Sequence, residues 1–297
     1  MEHRLSPYSV LRLVGALALS LCWSTPRAGA VEPLHQPDAQ PGPKIIRTAI
    51  IGGMMMTGLW PEIVKLFEKE TDYKVVVVAT GPRPGLDRAM RDGKVDVLTM
   101  HSGDITTDLV ADGYGVNMRP WARNDLVIVG PKSDPARIRG LKDGVEAFKR
   151  IYAAKAHFVD RRGMGPRELA HALWGKAGIT PEGDWLMPDG PEDHLEIVAY
   201  AQQHNAYVIV GRNPFVTGKI PNGDMEIMVD QDPQMRRPYI VMEANPAKCP
   251  GANVAGARAL TDFMLSEKAQ KFLAEFGKEN LGGANAFDPV GAPPQQP

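Results

Sequence analysis

The chain has 297 residues, enough for about two domains at roughly 150 residues each. With 43% hydrophobic and 23% charged residues it can bury a real core and is not disordered as a whole. Its 34 basic and 35 acidic residues leave a net charge of −1, which argues against nucleic acid as a main partner. Beyond the N-terminus no apolar run reaches the ~18 residues of a membrane span.

In chain order, Arg4 and Arg12 precede the apolar stretch Leu13 to Trp23, and Ala28-Gly29-Ala30 follows. Basic residues, a short greasy segment and small residues at a cleavage point predict a secretory signal peptide over 1–30. Cys22 raises a lipid anchor, but the preceding Leu19-Ser20-Leu21 places the bulky Leu21 where that cleavage wants a small residue, so a cut after Ala30 is expected. Losing Arg4, Arg12, Arg27 and Glu2 takes the net charge to −3. A single cysteine, Cys249, then remains, so no intrachain disulfide can form. Residues 31–44 are Pro-rich and unpatterned, as in a flexible linker. Residues 286–297 are expected to be a disordered tail.

Between them strands and helices alternate. Ile45 to Ile51 predicts a buried strand, and Leu59, Ile63, Leu66 and Phe67 recur at helical spacing. Lys74 to Ala79 carries four consecutive valines, a run suited to a strand covered on both faces. A helix around Leu86 to Arg91 and a strand Val95 to Met100 follow. Leu126 to Val129, a helix at Val145 to Tyr152, His157 to Val159, a helix at Leu169 to Ala177, Tyr207 to Val210 and Tyr239 to Met242 continue the pattern. Two helical stretches, Leu260 to Met264 and Phe272 to Phe276, close it at Gly277. This order predicts an α/β fold whose sheet is parallel and clothed by helices.

Ligands of such sheets bind at strand ends. Three Gly-bearing turns fall there: Gly52-Gly53-Met54-Met55-Met56-Thr57-Gly58, Met100-His101-Ser102-Gly103-Asp104, and Asp160-Arg161-Arg162-Gly163-Met164-Gly165-Pro166-Arg167. Backbone N–H groups at such turns favour anions. No H-E-x-x-H, nucleophile elbow or phosphate loop occurs, so no cofactor and no catalytic group is expected.

Several collinear segments resemble the tungstate-binding family of extracytoplasmic solute receptors, which feed ABC importers. They include LFEKETDYKVVVVATG (66–81), DGKVDVLTMHS (92–102), residues 109–151, KAHFVDRR (155–162), LWGKAGITPEGDW (173–185) and LTDFMLSEKAQKFLAEFG (260–277). The resemblance implies a two-lobed periplasmic-binding-protein type II fold with a hinge crossed twice, near Asn124 to Gly130 and Arg237 to Ala244. Lobe 1 would comprise 45–129 and 241–285, and lobe 2 would comprise 130–240. The implied partners are a small anionic solute and an ABC permease in the inner membrane, the receptor itself being a periplasmic monomer.

The ligand loops depart from the family. Its first loop is rich in Thr and Ser, whereas here only Thr57 offers a hydroxyl. The second-lobe motif Ser-Arg-Gly-Asp-Asp-Ser-Gly-Thr-His is shortened, with Arg161 and Gly165 retained. Pro82-Arg83-Pro84 after Thr80-Gly81 reads as an insertion. The expected ligand-binding residues are therefore Gly52, Gly53, Met54, Thr57, Thr80, Gly81, Arg83, His101, Ser102, Arg161, Arg162, Met164, Gly165, Arg167 and Arg212. Arginine forks suit oxyanions or carboxylates. Two other readings stay open: methionines with His101 holding a soft metal such as copper in a sensory module, and an exported α/β enzyme using His101 and Asp104 as acid and base.

Overall fold

The computed structural model describes residues 34–162, 164–191, 194–280 and 285–291. The expected signal peptide and Cys22 lie outside the described residues. The strands and helices, in chain order, are β1 (Ile45–Ile51), α1 (Gly52–Met56), α2 (Leu59–Glu68), β2 (Lys74–Gly81), α3 (Arg83–Arg91), β3 (Val97–His101), α4 (Asp104–Ala111), β4 (Gly115–Pro131) and α5 (Gly144–Ala154). They continue with β5 (Phe158–Asp160), α6 (Met164–Ala177), β6 (Leu186–Pro188), α7 (Ile197–Gln203), β7 (Val208–Gly211), α8 (Arg212–Val216), β8 (Met225–Val229), β9 (Arg236–Ala244), α9 (Val254–Met264), α10 (Glu267–Glu275) and β10 (Asp288–Pro289). Among the described residues no helix is long and apolar enough to cross a membrane.

Six strands lie side by side in the order β10-β4-β9-β3-β1-β2, and β7 and β8 pair with the far end of β4. β1 is parallel to β2 and β3, as the crossover helices demand. β9 and β4 run antiparallel, so the sheet is mixed rather than the parallel one expected. The reason is topological: β9 returns from the other half of the molecule and must enter beside β3 head to tail.

β4 is the spine of the fold. Its first part pairs with β9 and β10, and its last residues, Leu126 to Pro131, pair with β7 and β8. The buried side chains divide accordingly. One core gathers residues from Ile46 to Ala122 and again from Tyr239 to Phe287. Two smaller cores, on the two faces of the β7–β4–β8 sheet, draw on residues between Leu126 and Met235. All four valines of β2 are buried in the first core. In the second, Phe148, Phe158, Trp174 and Trp185 pack edge to face, which fixes α5 and α6 on the short β5–β6 pair.

Both ends expected to be loose are held where they are described. Val77 N donates to Leu34 O and Gln36 N donates to Val77 O, so the chain before β1 covers the outer edge of β2. Within the expected tail, β10 pairs with β4, and Phe287 is buried against Tyr239 and Phe276. An aromatic in an otherwise Pro- and Gly-rich stretch supplies the apolar area that the expectation of disorder overlooked.

A buried ion pair locks the first core. Arg47 Nη2 is 2.7 Å from Asp96 Oδ1, both side chains being at most 5% exposed. Asp96 also accepts from Arg47 N and Asn253 N, which ties β1, the approach to β3 and the start of α9 together. Removing one partner leaves a charge buried alone, at a cost of about 3–5 kcal/mol. Asp96→Asn is therefore expected to lower unfolding free energy by that order in urea titrations, whereas replacing Arg47 and Asp96 together by apolar residues costs markedly less.

Candidate functional site

The carboxyl ends of β1, β2 and β3 come together on the first core. Ile51 pairs with Gly81, and a Cβ on Gly52 would meet Gly81 Cα at 3.5 Å, so the first two turns touch through bare backbone. Gly81 has φ +131°, a value side chains disfavour. Gly53 is half-buried and Thr80 exposed. Two members of the expected site belong elsewhere. Met54 is fully buried, with its sulfur beside the Thr99 hydroxyl, because the turn continues as α1 and rolls that side chain into the core. Thr57 spends its hydroxyl on the Gly53 carbonyl at 2.9 Å, an ordinary helix back-bond rather than a free donor. Met100 is likewise core, and Met56 is exposed, so the methionines do not converge on one point.

The cationic groups converge further along. Arg83 opens α3, where Pro84 is tolerated in the first turn, and the Arg83 side chain is 5% exposed. Its Nη1 would lie 2.7 Å from a Cβ on Gly103, so the guanidinium rests directly on that glycine. Its Nη2 donates to Glu168 Oε1 at 2.8 Å. Glu168 belongs to α6, which packs on the second core, so this ion pair joins the two halves. One turn earlier on α6, Gly165 receives the Arg237 guanidinium: a Cβ there would come within 2.4 Å of Arg237 Nη2. The likeness-based list omitted Arg237. It stands two residues before Tyr239, at the start of β9, where it is paired with Asn124 of β4, and no hydrogen bond or ion pair engages its guanidinium among the described residues.

His101 completes the group. β3 pairs with β9 so that His101 faces Tyr239, their rings 4.1 Å apart, and Ser102 N donates to Pro238 O. Asn124 Nδ2 donates to the Tyr239 hydroxyl at 2.7 Å. The His101 Nε2 atom is buried without a partner. Burial, then the charges of Arg237 and Arg83, push the His101 pKa well below the usual imidazole range, so the ring is neutral at physiological pH. Burial, with Arg83 adding to it, also lowers the Arg237 pKa, while Tyr239 and Glu168 oppose the shift; an arginine nonetheless stays charged. Among the described residues the seam thus holds two guanidiniums, one neutral imidazole and a single half-exposed carboxylate. No hydrogen bond joins His101 to Asp104 among the described residues, so the acid–base pairing is not assembled.

Of the remaining expected residues, Arg161 directly follows β5 and is 8% exposed with its Nε unpartnered. Burial lowers its pKa, and the charged group facing it is Asp189. Arg162 is exposed and clasps Asp189 through its own N–H and its guanidinium. Arg167 is exposed and 3.8 Å from Asp160. Of the three, Arg162 hydrogen-bonds the β5–α6 turn to the loop after β6, while Arg167 stays within the turn. Met164 opens α6, and nothing more is described of its side chain. Arg212 lies instead at the crossing of β4 and β9, on a cavity of about 60 Å³ with Asn124, Asp125, Arg236 and Asp288. A wider groove of about 540 Å³ opens between Met55 to Gly58 and residues Val216, Thr217 and Lys219.

Comparison with known proteins bears on this arrangement. The family model described as bacterial extracellular solute-binding protein matches residues 49–279. The tungstate-binding protein TupA of Peptoclostridium acidaminophilum is 35% identical over 241 residues, 80% of this chain and 82% of the relative. The chain belongs to the bacterial extracellular solute-binding protein family. A putative ABC transporter anion-binding protein of Haloferax volcanii is 32% identical over 78% of this chain and 68% of its own length. Among solved structures, the tungstate-binding protein TupA from Desulfovibrio alaskensis superposes with TM-score 0.73 at 24% identity, covering 82% of this chain and 98% of that one. The tungstate ABC transporter structure from Geobacter sulfurreducens gives 0.68 at 28% identity, covering 78% and 99%. The fold is the two-lobed α/β periplasmic-binding type.

The cavity at the β4–β9 crossing makes a pH dependence. Asp125 Oδ1 and Arg236 Nε are both buried without a hydrogen bond, 3.8 Å apart. Burial, then the charge of Asp288, raises the Asp125 pKa from 3.8 to about 6 against the opposing Arg236 and Arg212. The folded chain therefore holds this proton more tightly than the unfolded chain. Asp125 contributes stability that is fully present below the unfolded pKa and is lost as pH rises through about 6. Asp125→Asn is expected to flatten that part of the stability profile between pH 4 and 7, read from urea midpoints; a slope equal to that of the parent chain contradicts the assignment.

Proposed function

We propose that this protein is the extracytoplasmic receptor of an ABC importer and captures a small oxyanion of the tungstate or molybdate kind between its lobes. The observation that carries the reading is Arg237: a guanidinium seated against Gly165, with no hydrogen-bonded or ion-paired carboxylate among the described residues, beside the buried Arg83. Two like charges at close quarters in a partly dehydrated seam repel one another, and an anion between them removes that cost. The printed names of the relatives, tungstate-binding and anion-binding, agree with this chemistry.

In this reading lobe 1 is 45–129 with 241–285 and lobe 2 is 130–240, adjusted at the crossings because Leu126 to Val129 pack in the lobe 2 cores and Tyr239, Ile240 and Phe287 in the lobe 1 core. The solute first meets one lobe, and closure brings the donors of the other, so binding shifts the open–closed equilibrium. Arg237 and Arg83 supply charge, Ser102 and the Gly52 and Gly81 turns supply neutral donors, and neutral His101 offers one N–H to an oxyanion. Arg161 adds a third cation on the lobe 2 wall. Oxyanions of this class carry only acceptor oxygens, which suits a site built from donors. No bond of the solute is made or broken; the closed receptor acts as a monomer that presents its cargo to a membrane permease.

Isothermal titration with tungstate, molybdate, sulfate and phosphate tests the reading. Tungstate or molybdate is expected to bind the parent chain. Arg237→Ala and Arg161→Ala should each weaken that binding by about 2 kcal/mol, the scale of a charge-assisted hydrogen bond. Absence of binding by all four anions, or unchanged affinity in Arg237→Ala, contradicts it.

A further inference from the structure

Arg83 is the most enclosed cation of the seam, and the way it is held shows a division of labour. Its side chain is 5% exposed, and among the described residues Glu168 is its one hydrogen-bond acceptor. That contact uses Nη2 alone, so Nη1 and Nε are left for another acceptor. Gly103 supports the guanidinium from the first core, at a distance that excludes any side chain larger than hydrogen without moving the arginine. Glu168 reaches it from α6 on the second core. The arginine is therefore fixed from below by its own half and from the side by the opposite half. Glu168 itself is 55% exposed and held by no other ion pair among the described residues.

We propose that Glu168 is the positioning residue of the anion site: its carboxylate holds Arg83 Nη2 across the seam and so orients the remaining N–H groups of that guanidinium toward the solute. This rests on the oxyanion-receptor reading given above. Because the two residues sit on different halves, the grip exists only when the seam is shut. A solute arriving at the open form meets Arg83 unrestrained, whereas a solute leaving the shut form must wait for the Arg83–Glu168 pair to part. The pair thereby sets residence time rather than capture rate. It also moderates charge: with Glu168 present the group of Arg83, Arg237 and neutral His101 carries an excess of one positive charge, and without it an excess of two. The nearness of the Glu168 carboxylate to Arg237, three residues along α6 from Gly165, places it to offset the mutual repulsion of the two guanidiniums in the empty shut form.

The test is stopped-flow binding of tungstate and molybdate to the parent chain, Glu168→Ala and Glu168→Gln, with small-angle scattering of each without solute. Glu168→Ala is expected to raise the dissociation rate at least tenfold, with the association rate within about threefold of the parent, and to enlarge the solute-free radius of gyration. Glu168→Gln keeps an acceptor for Arg83 Nη2 and should recover most of the slow dissociation. A general structural defect would not give that rate split or that rescue. Equal or tighter binding by Glu168→Ala would make Glu168 a competitor for the site and overturn the proposal; so would a loss confined to the association rate. If the parent chain binds neither anion, the functional reading fails separately. The solute-free scattering then decides the grip: unchanged dimensions in Glu168→Ala refute it, and expansion reversed in Glu168→Gln supports it.

Discussion

Two guanidiniums held close together in a partly dry seam, with one carboxylate between the halves to answer them, are the constraint on which this molecule turns. Arg83 and Arg237 repel each other, and the group nearest to both that could carry a further charge, His101, is held neutral by the same burial and the same arginines. In water such repulsion is trivial; in a seam of low effective dielectric it is worth several times more. In the proposed reading this is an electrostatic deficit that an anion fills. The oxyanion reading follows from that deficit more directly than from the hydroxyl-bearing loop seen in the family, which this chain has largely replaced with glycine and methionine.

The scaffold makes the deficit affordable by keeping each half rigid in its own right. The first core is closed by the Arg47–Asp96 pair and by the tilted ring contacts of Phe287 with Phe276 and Tyr239. The second is closed by edge-to-face aromatics around Trp174. β4 runs unbroken through both sheets, so the halves share one continuous strand while their side chains pack separately. Rigid halves on a common strand can change their mutual angle without repacking. On the proposed reading His101, Arg161 and Arg237 then come together or part with their halves, and the strap of residues 285–290, hydrogen-bonded to both β4 and Asn213, lies beside that shared strand.

The architecture was legible because its elements carry unambiguous patterns. Ile45–Ile51 was expected as a strand with those bounds, and the valine run of β2 and the helices at 59–68 and 144–154 stand where their spacing put them. The first half of β4 was not expected, since Gly115 to Asp125 alternates polar residues around Pro120 and reads as a loop until a partner strand supplies its hydrogen bonds. β8 was missed for a similar reason, its Glu226 interrupting a short apolar run. The site was harder. Likeness directed attention to Arg161 and to the turn at Met54, but helical continuation buried Met54. Arg237 went unnoticed although Arg236-Arg237 directly precedes a buried strand, and strand alternation puts Arg237 on the same side as Tyr239. Glu168 could not be found from sequence at all, because its role depends on α6 meeting α3 across the seam.

The most direct measurement is a crystal structure of the chain grown with tungstate, with data collected at the tungsten absorption edge so that anomalous scattering locates the oxyanion without reference to any assumed pose. The account predicts one strong tungsten peak between the lobes, with oxyanion oxygens within hydrogen-bonding distance of Arg237 and of an Arg83 N–H group that Glu168 leaves free. A peak at the β4–β9 crossing, at the outer groove beside Met56, or nowhere in the molecule would contradict it.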